Sequence, residues 1–187
     1  MTLLGNWDPS GLSYSDIWGY VDCAGNEYAI IGSREKVHFI DISNPSSPTE
    51  IDNFAGGDNT TWRDIKTYGK YAYSVCDACS EGLMIFDLSG LPNSVSLVTQ
   101  TSAFFGRSHD IYIDEQHCRL YAVGTNTQGN GVIILDLTVD PTNPTLMAST
   151  SLAGGYNHDI HVVNHIGYSF SGNNGLWVYD FTTPNSP

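Results

Sequence analysis

The feature that most constrains this chain is a repeat. Asp-Ile occurs at Asp16-Ile17, Asp64-Ile65, Asp110-Ile111 and Asp159-Ile160. An apolar run ending in aspartate recurs with it: VHFID ending at Asp41, LMIFD at Asp87, VIILD at Asp136 and LWVYD at Asp180. Between them lies a third extended run (EYAIIGS, KYAYSVC, RLYAVGT, IGYSFSG). A Pro-containing turn and a fourth run follow. Each unit of about 47 residues thus holds four short strands bounded by turn residues. The middle runs are apolar at successive positions, so both faces of each sheet must be covered. Four-stranded antiparallel sheets stacked face to face at this period describe a β-propeller.

The expected architecture is all-β: one domain over 1–187, with blade units at about 16–54, 64–100, 110–152 and 159–182. Thr2-Leu3-Leu4-Gly5-Asn6-Trp7 resembles the fourth runs TLMAST and TEIDNF. Strand 2–7 is therefore expected to complete the last blade and close four blades into a ring. The alternative is half of an eight-bladed propeller, formed by a dimer or a longer parent chain.

Composition narrows the function. With 20 Asp+Glu against 7 Lys+Arg, the net charge is −13, which disfavours nucleic acid as a partner. No apolar run approaches the ~20 residues of a membrane span. The N-terminus has neither the basic nor the apolar region of a signal peptide, so the chain reads as intracellular or as an excised mature fragment.

The runs VHFID, LMIFD, VIILD and LWVYD resemble the LVIVD repeat. SDIWGYVDCAGNEYAIIGS, TWRDIKTYGKYAYSV, SHDIYID and NHDIHV are similar to the choice-of-anchor B family. That resemblance implies a secreted or cell-surface bacterial β-propeller and implies no defined enzyme activity. It makes a non-enzymatic binding or structural module the leading expectation, with an extracellular ligand, glycan or protein surface as partner.

Inner strands line a propeller's channel, so Asp16, Asp64, Asp110 and Asp159 should form a ring near one mouth. Ser15, Arg63, His109 and His158 form a neighbouring ring. Converging carboxylates either recruit a cation, with Ca²⁺ the natural choice and a transition metal if the histidines reach it, or raise one another's pKa. The structural reading of the same residues is that each Asp accepts backbone N–H groups between blades, with Arg63 able to neutralise a local carboxylate. The candidate metal residues are Asp16, Asp64, His109, Asp110, His158 and Asp159. A metal-assisted hydrolase built on the two His-Asp pairs is the competing function, and a strand-exchanged homo-oligomer a third. Trp18, Trp62, Phe104 and Tyr156 are the candidate ligand-stacking residues; Phe105 lies beside them. The second aspartate set (Asp41, Asp87, Asp136, Asp180) is expected to cap turns. Cys76-Asp77-Ala78-Cys79 is expected to close a local disulfide, with Cys23 and Cys118 not joined to each other.

Overall fold

The computed structural model describes residues 1–9, 11–57 and 59–187. Every sheet is an antiparallel meander. Sheet 1 comprises β1 (Tyr14–Val21), β2 (Glu27–Ser33), β3 (Lys36–Asp41) and β4 (Thr49–Ala55). Sheet 2 comprises β5 (Arg63–Tyr68), β6 (Tyr71–Cys76), β7 (Leu83–Asp87) and β8 (Ser96–Thr101). Sheet 3 comprises β9 (Asp110–Asp114), β10 (Arg119–Val123), β11 (Gly131–Asp136) and β12 (Thr145–Ser151). Sheet 4 has three strands: β13 (Asp159–Val163), β14 (Ile166–Phe170) and β15 (Leu176–Asp180). One 3-10 turn, Gly172–Asn174, is the helical element among the described residues. The chain is thus all-β, with four propeller blades.

The outer strands share a device. The register slips by one residue between Phe39 and Ile40, between Ile85 and Phe86, and between Ile134 and Leu135. The extra residue, Ile51, Val98 or Met147, bulges from β4, β8 or β12. Such a bulge bends and twists the outer strand, as a blade edge requires. Beyond the third strand of each sheet, the aspartate caps the turn. Asp41, Asp87, Asp136 and Asp180 each accept the backbone N–H two residues on, all at 2.8 Å. The side-chain and then the backbone hydrogen bonds from Thr138 and Thr182 hold the carboxyls of Asp136 and Asp180 below the usual range.

Apolar layers lie between sheets. Ile30, Val37 and Phe39 of sheet 1 meet Ile65, Met84 and Phe86 of sheet 2. Tyr73, Val75, Leu83 and Ile85 meet Ile111, Leu120 and Ile133 of sheet 3. Tyr121, Val123, Val132 and Ile134 meet Ile160, Val162 and Phe181 of sheet 4. The blades therefore pack 1–2, 2–3 and 3–4. Among the described residues no comparable interface joins sheet 4 to sheet 1, so the blades form an open arc.

Residues 2–7 adopt no strand, and the expected pairing with sheet 4 is absent. They lie instead against sheet 1. Trp7 packs edge-on to His38 with ring centroids 5.1 Å apart. A Cβ on Gly5 would collide with the Pro45 carbonyl oxygen, so only glycine allows that approach.

The aromatic contacts Phe39–Phe86 and Phe54–Phe86, both at 5.1 Å, make Phe86 the centre of the first layer. Phe86→Ala should cost about 3–5 kcal/mol, read as a lower midpoint in urea unfolding. A loss below about 1 kcal/mol would mean that the layer repacks around the void.

Candidate functional site

The inner strands β1, β5, β9 and β13 carry the repeated Asp-Ile, and three of the four aspartates have the same partner. Asp16 Oδ2 accepts the Ile65 N–H at 2.8 Å, Asp64 Oδ2 the Ile111 N–H at 2.9 Å, and Asp110 Oδ2 the Ile160 N–H at 3.1 Å. Each carboxylate thus caps an inward-facing amide of the next blade, which has no strand on its axial side. In the open arc these three aspartates form a row, each capping an amide of the next blade. Lys66 Nζ sits 2.6 Å from the other oxygen of Asp64. Arg63 is buried and hydrogen-bonds the carbonyls of Ser33, Arg34 and Gly56. Asp159 is exposed.

Crowding leaves an electrostatic mark. Burial, and then the neighbouring carboxylates of Asp64 and Asp159, push the Asp110 carboxyl up to about 9. Burial also raises Asp64, to about 6, against the pull of Lys66.

The histidines before these aspartates point the other way along the strand, as alternation requires. His109 and His158 meet there, Nε2 to Nε2 at 2.9 Å. Asp77 Oδ2 lies 2.9 Å from Nδ1 of His109. A carboxylate accepts, so the Nδ1 of His109 donates to Asp77. Tyr156 packs against His109 at 6.4 Å. Trp62 shares with His109 a small cavity of about 230 Å³. Asp77 belongs to the loop closed by the Cys76–Cys79 disulfide. The loop expected to be a mere staple therefore supplies the carboxylate of an Asp–His–His line. Cys23 and Cys118 are free thiols.

The six proposed metal residues do not converge. Asp16, Asp64 and Asp110 are committed to amides, and the histidines sit on the opposite side of the strands. Two imidazole nitrogens 2.9 Å apart, with a carboxylate behind one, offer two of the three or four ligands that a zinc site takes. A more compact set lies elsewhere: Asp114, His117 and His165 have donor atoms within 4.8 Å of one another. There Asp114 already pairs with His117 at 2.7 Å, and the Arg119 guanidinium stands 3.3 Å from His165 Nδ1, which disfavours a cation.

The aromatic residues separate. Trp62 and Tyr156 flank the histidines. Phe104 packs on the layer between sheets 2 and 3, and Phe105 is buried in it. Trp18 lines a second concavity, about 630 Å³, along the inner strands with Lys66, Asp110, Tyr112, Asp159 and His161. Its indole N–H donates to Thr67 Oγ1 at 2.9 Å, and Lys66 Nζ lies 4.9 Å from its ring. Tyr112 and His161 meet edge to face at 4.6 Å.

The folded state holds a proton on Asp110 up to about pH 9; the unfolded chain releases it near pH 4. That contribution to stability is complete below about pH 4 and is lost as pH rises through about 9; Asp64 adds a loss between about 4 and 6. The thermal midpoint should therefore fall from pH 5 to pH 9. Asp110→Asn keeps an acceptor for Ile160 and should flatten the upper half of that slope in calorimetry. An unchanged slope would assign the pH dependence to other groups.

A family model for the LVIVD repeat matches residues 21–55 and 61–99. No curated protein sequence matches the chain. Among solved structures, a candidate 6-phosphogluconolactonase of Bacteroides uniformis is similar over 91% of this chain and 52% of its own, at 13% identity and a TM-score of 0.64. The computationally designed Ika8 protein matches over 91% and 46% at 10% identity and TM-score 0.62. The periplasmic gluconolactonase of Pseudomonas aeruginosa matches over 87% and 48% at 12% identity and TM-score 0.60. At these identities the likeness shows the fold alone, and the chain spans about half the length of those structures. The fold and the family-model matches together describe a β-propeller built with LVIVD repeats.

Proposed function

We propose that this protein is a non-enzymatic binding module of the cell exterior, similar to choice-of-anchor B proteins, and that its ligand is a glycan. The observation that carries this reading is the division of labour on the inner strands. The repeated aspartates cap amides, while side chains that do not repeat (Trp18, Lys66, Tyr112 and His161) line the larger concavity. Aromatic faces beside carboxylate and ammonium groups suit a sugar, which stacks its C–H face and hydrogen-bonds its hydroxyls. The Cys76–Cys79 disulfide and the acidic composition support an oxidising, extracellular setting.

Glycan arrays followed by calorimetry test the reading. A glycan hit should weaken about tenfold in Trp18→Ala and in His161→Ala, about 1.4 kcal/mol each, with the fold unchanged. Absence of any glycan ligand, or a hit indifferent to both substitutions, removes the proposal.

The Asp77–His109–His158 line supports a second reading, metal-assisted hydrolysis at the channel mouth. The lactonase names of two similar structures suggest a lactone as the substrate class. Zinc would be held by the two Nε2 atoms, with Asp77 orienting His109. It would supply a Lewis acid for a carbonyl. Zinc bound stoichiometrically by the wild type and lost in His109→Ala and His158→Ala, with lactone turnover lost in parallel, is the outcome this reading requires. Zinc binding without turnover would leave a metal site in a binding module.

A further inference from the structure

Sheet 4 is built like the other blades, on a face that no described residue covers. The four sheets align by their pairing registers. Tyr121, Val123, Val132 and Ile134 of sheet 3 correspond to Tyr168, Phe170, Leu176 and Val178 of sheet 4. In sheet 2 the same positions are Tyr73, Val75, Leu83 and Ile85; in sheet 1 three of them are Ile30, Val37 and Phe39. In sheets 1 to 3 each of these side chains is at most 2% exposed, because the next blade lies on it. In sheet 4 the four are 38%, 50%, 55% and 57% exposed.

The other end of the arc carries the complement. Ile17 is 62% exposed, whereas its counterparts Ile65, Ile111 and Ile160 are each at most 2% exposed against the preceding blade. The amide chain has the same two loose ends. Asp159 makes no interblade hydrogen bond among the described residues, and Ile17 holds the position of the amide that such a carboxylate caps.

Residues 2–7 fit the gap between them. Thr2 precedes Asp16 by the same distance in sequence as Thr145 precedes Asp159, so Leu4 aligns with the bulged Met147 and Gly5 with Ala148. Each outer strand touches the Pro-containing turn of the following blade: Asp52 accepts the Val95 N–H at 2.8 Å, Thr99 donates to the Thr142 carbonyl at 2.5 Å, and Thr150 donates to the Pro184 carbonyl at 3.3 Å. Gly5 abuts Pro45 and Pro48 in the equivalent turn of sheet 1. Residues 2–7 therefore stand where the outer strand of a blade preceding sheet 1 would stand, while β15 has no outer strand among the described residues.

We infer that two copies of this chain assemble head to tail into an eight-bladed, two-fold symmetric ring. In each junction, residues 2–7 of one copy pair with β15 of the other as the fourth strand of its sheet 4. The Tyr168–Phe170–Leu176–Val178 face packs on the Ile17 face, and Asp159 accepts the Ile17 N–H of the neighbour. A second copy is the occupant to which the observations point, because residues 1–187 carry both halves of the junction. The assembly continues the three interfaces already inside the chain, and strand addition supplies its register.

Sedimentation of the 187-residue chain should give twice 20.4 kDa. The double variant Phe170→Asp with Leu176→Asp should sediment as a monomer. Both positions are exposed in the isolated arc, so its circular dichroism should stay that of the wild type. Thr2→Cys with Asp180→Cys, opposed in the register of Thr145 and Asp136, should form an interchain disulfide on oxidation. A monomeric wild type, an open series of higher oligomers, or a dimer that survives the double aspartate variant would each overturn the ring. A longer natural chain that closes its own ring would appear as a monomer whose added blades cover Phe170, and would overturn it equally.

Discussion

The structure depends on the way one blade caps the next. A four-stranded sheet that is apolar on both faces has no stable existence in water alone, because leaving either face exposed forfeits its burial. Sheets 2 and 3 solve this by lying between two neighbours, and sheets 1 and 4 bury one face each. The inner strands β5, β9 and β13 solve a second problem, an unpaired axial amide, by donating it to a carboxylate of the blade before. Apolar layers hold the blades together without direction. The Asp-to-amide bonds of Asp16, Asp64 and Asp110 fix how far each blade is turned and slid relative to the last.

That device has an electrostatic cost, concentrated on Asp110, which stands between two other carboxylates. Lys66 relieves Asp64 and lies near the ring of Trp18, so a cation that steadies this row also shapes the groove. Architecture and binding surface are thus coupled through one side chain. The histidines escape the row because strand alternation sends them to the other side, where Asp77 pairs with His109 and His109 meets His158.

The periodic part of this was legible. Asp-Ile, the apolar run ending in Asp and the Pro-containing turn each mark one place in every blade. The turn aspartates cap as their spacing implies, and the local disulfide forms between cysteines too near in sequence to need tertiary information. The site was legible only in part. His109 and His158 stood out because they break the symmetry of the repeat. Asp77 did not, because nothing in the sequence says that a loop of sheet 2 reaches a histidine of sheet 3. Phe104 looked like a rim residue and packs on the core instead.

The sequence by itself determined the blade: strand count, order, turn chemistry and the two apolar faces all follow from patterns within about 47 residues. Tertiary structure alone decided how many blades are in contact, and where residues 2–7 go. Their likeness to an outer strand is a local property. Which sheet they meet depends on the curvature of the arc, which accumulates from the small rotation at each apolar layer. Three such steps leave sheet 4 and sheet 1 apart, so a segment that reads as the closing strand of this chain rests on its first blade.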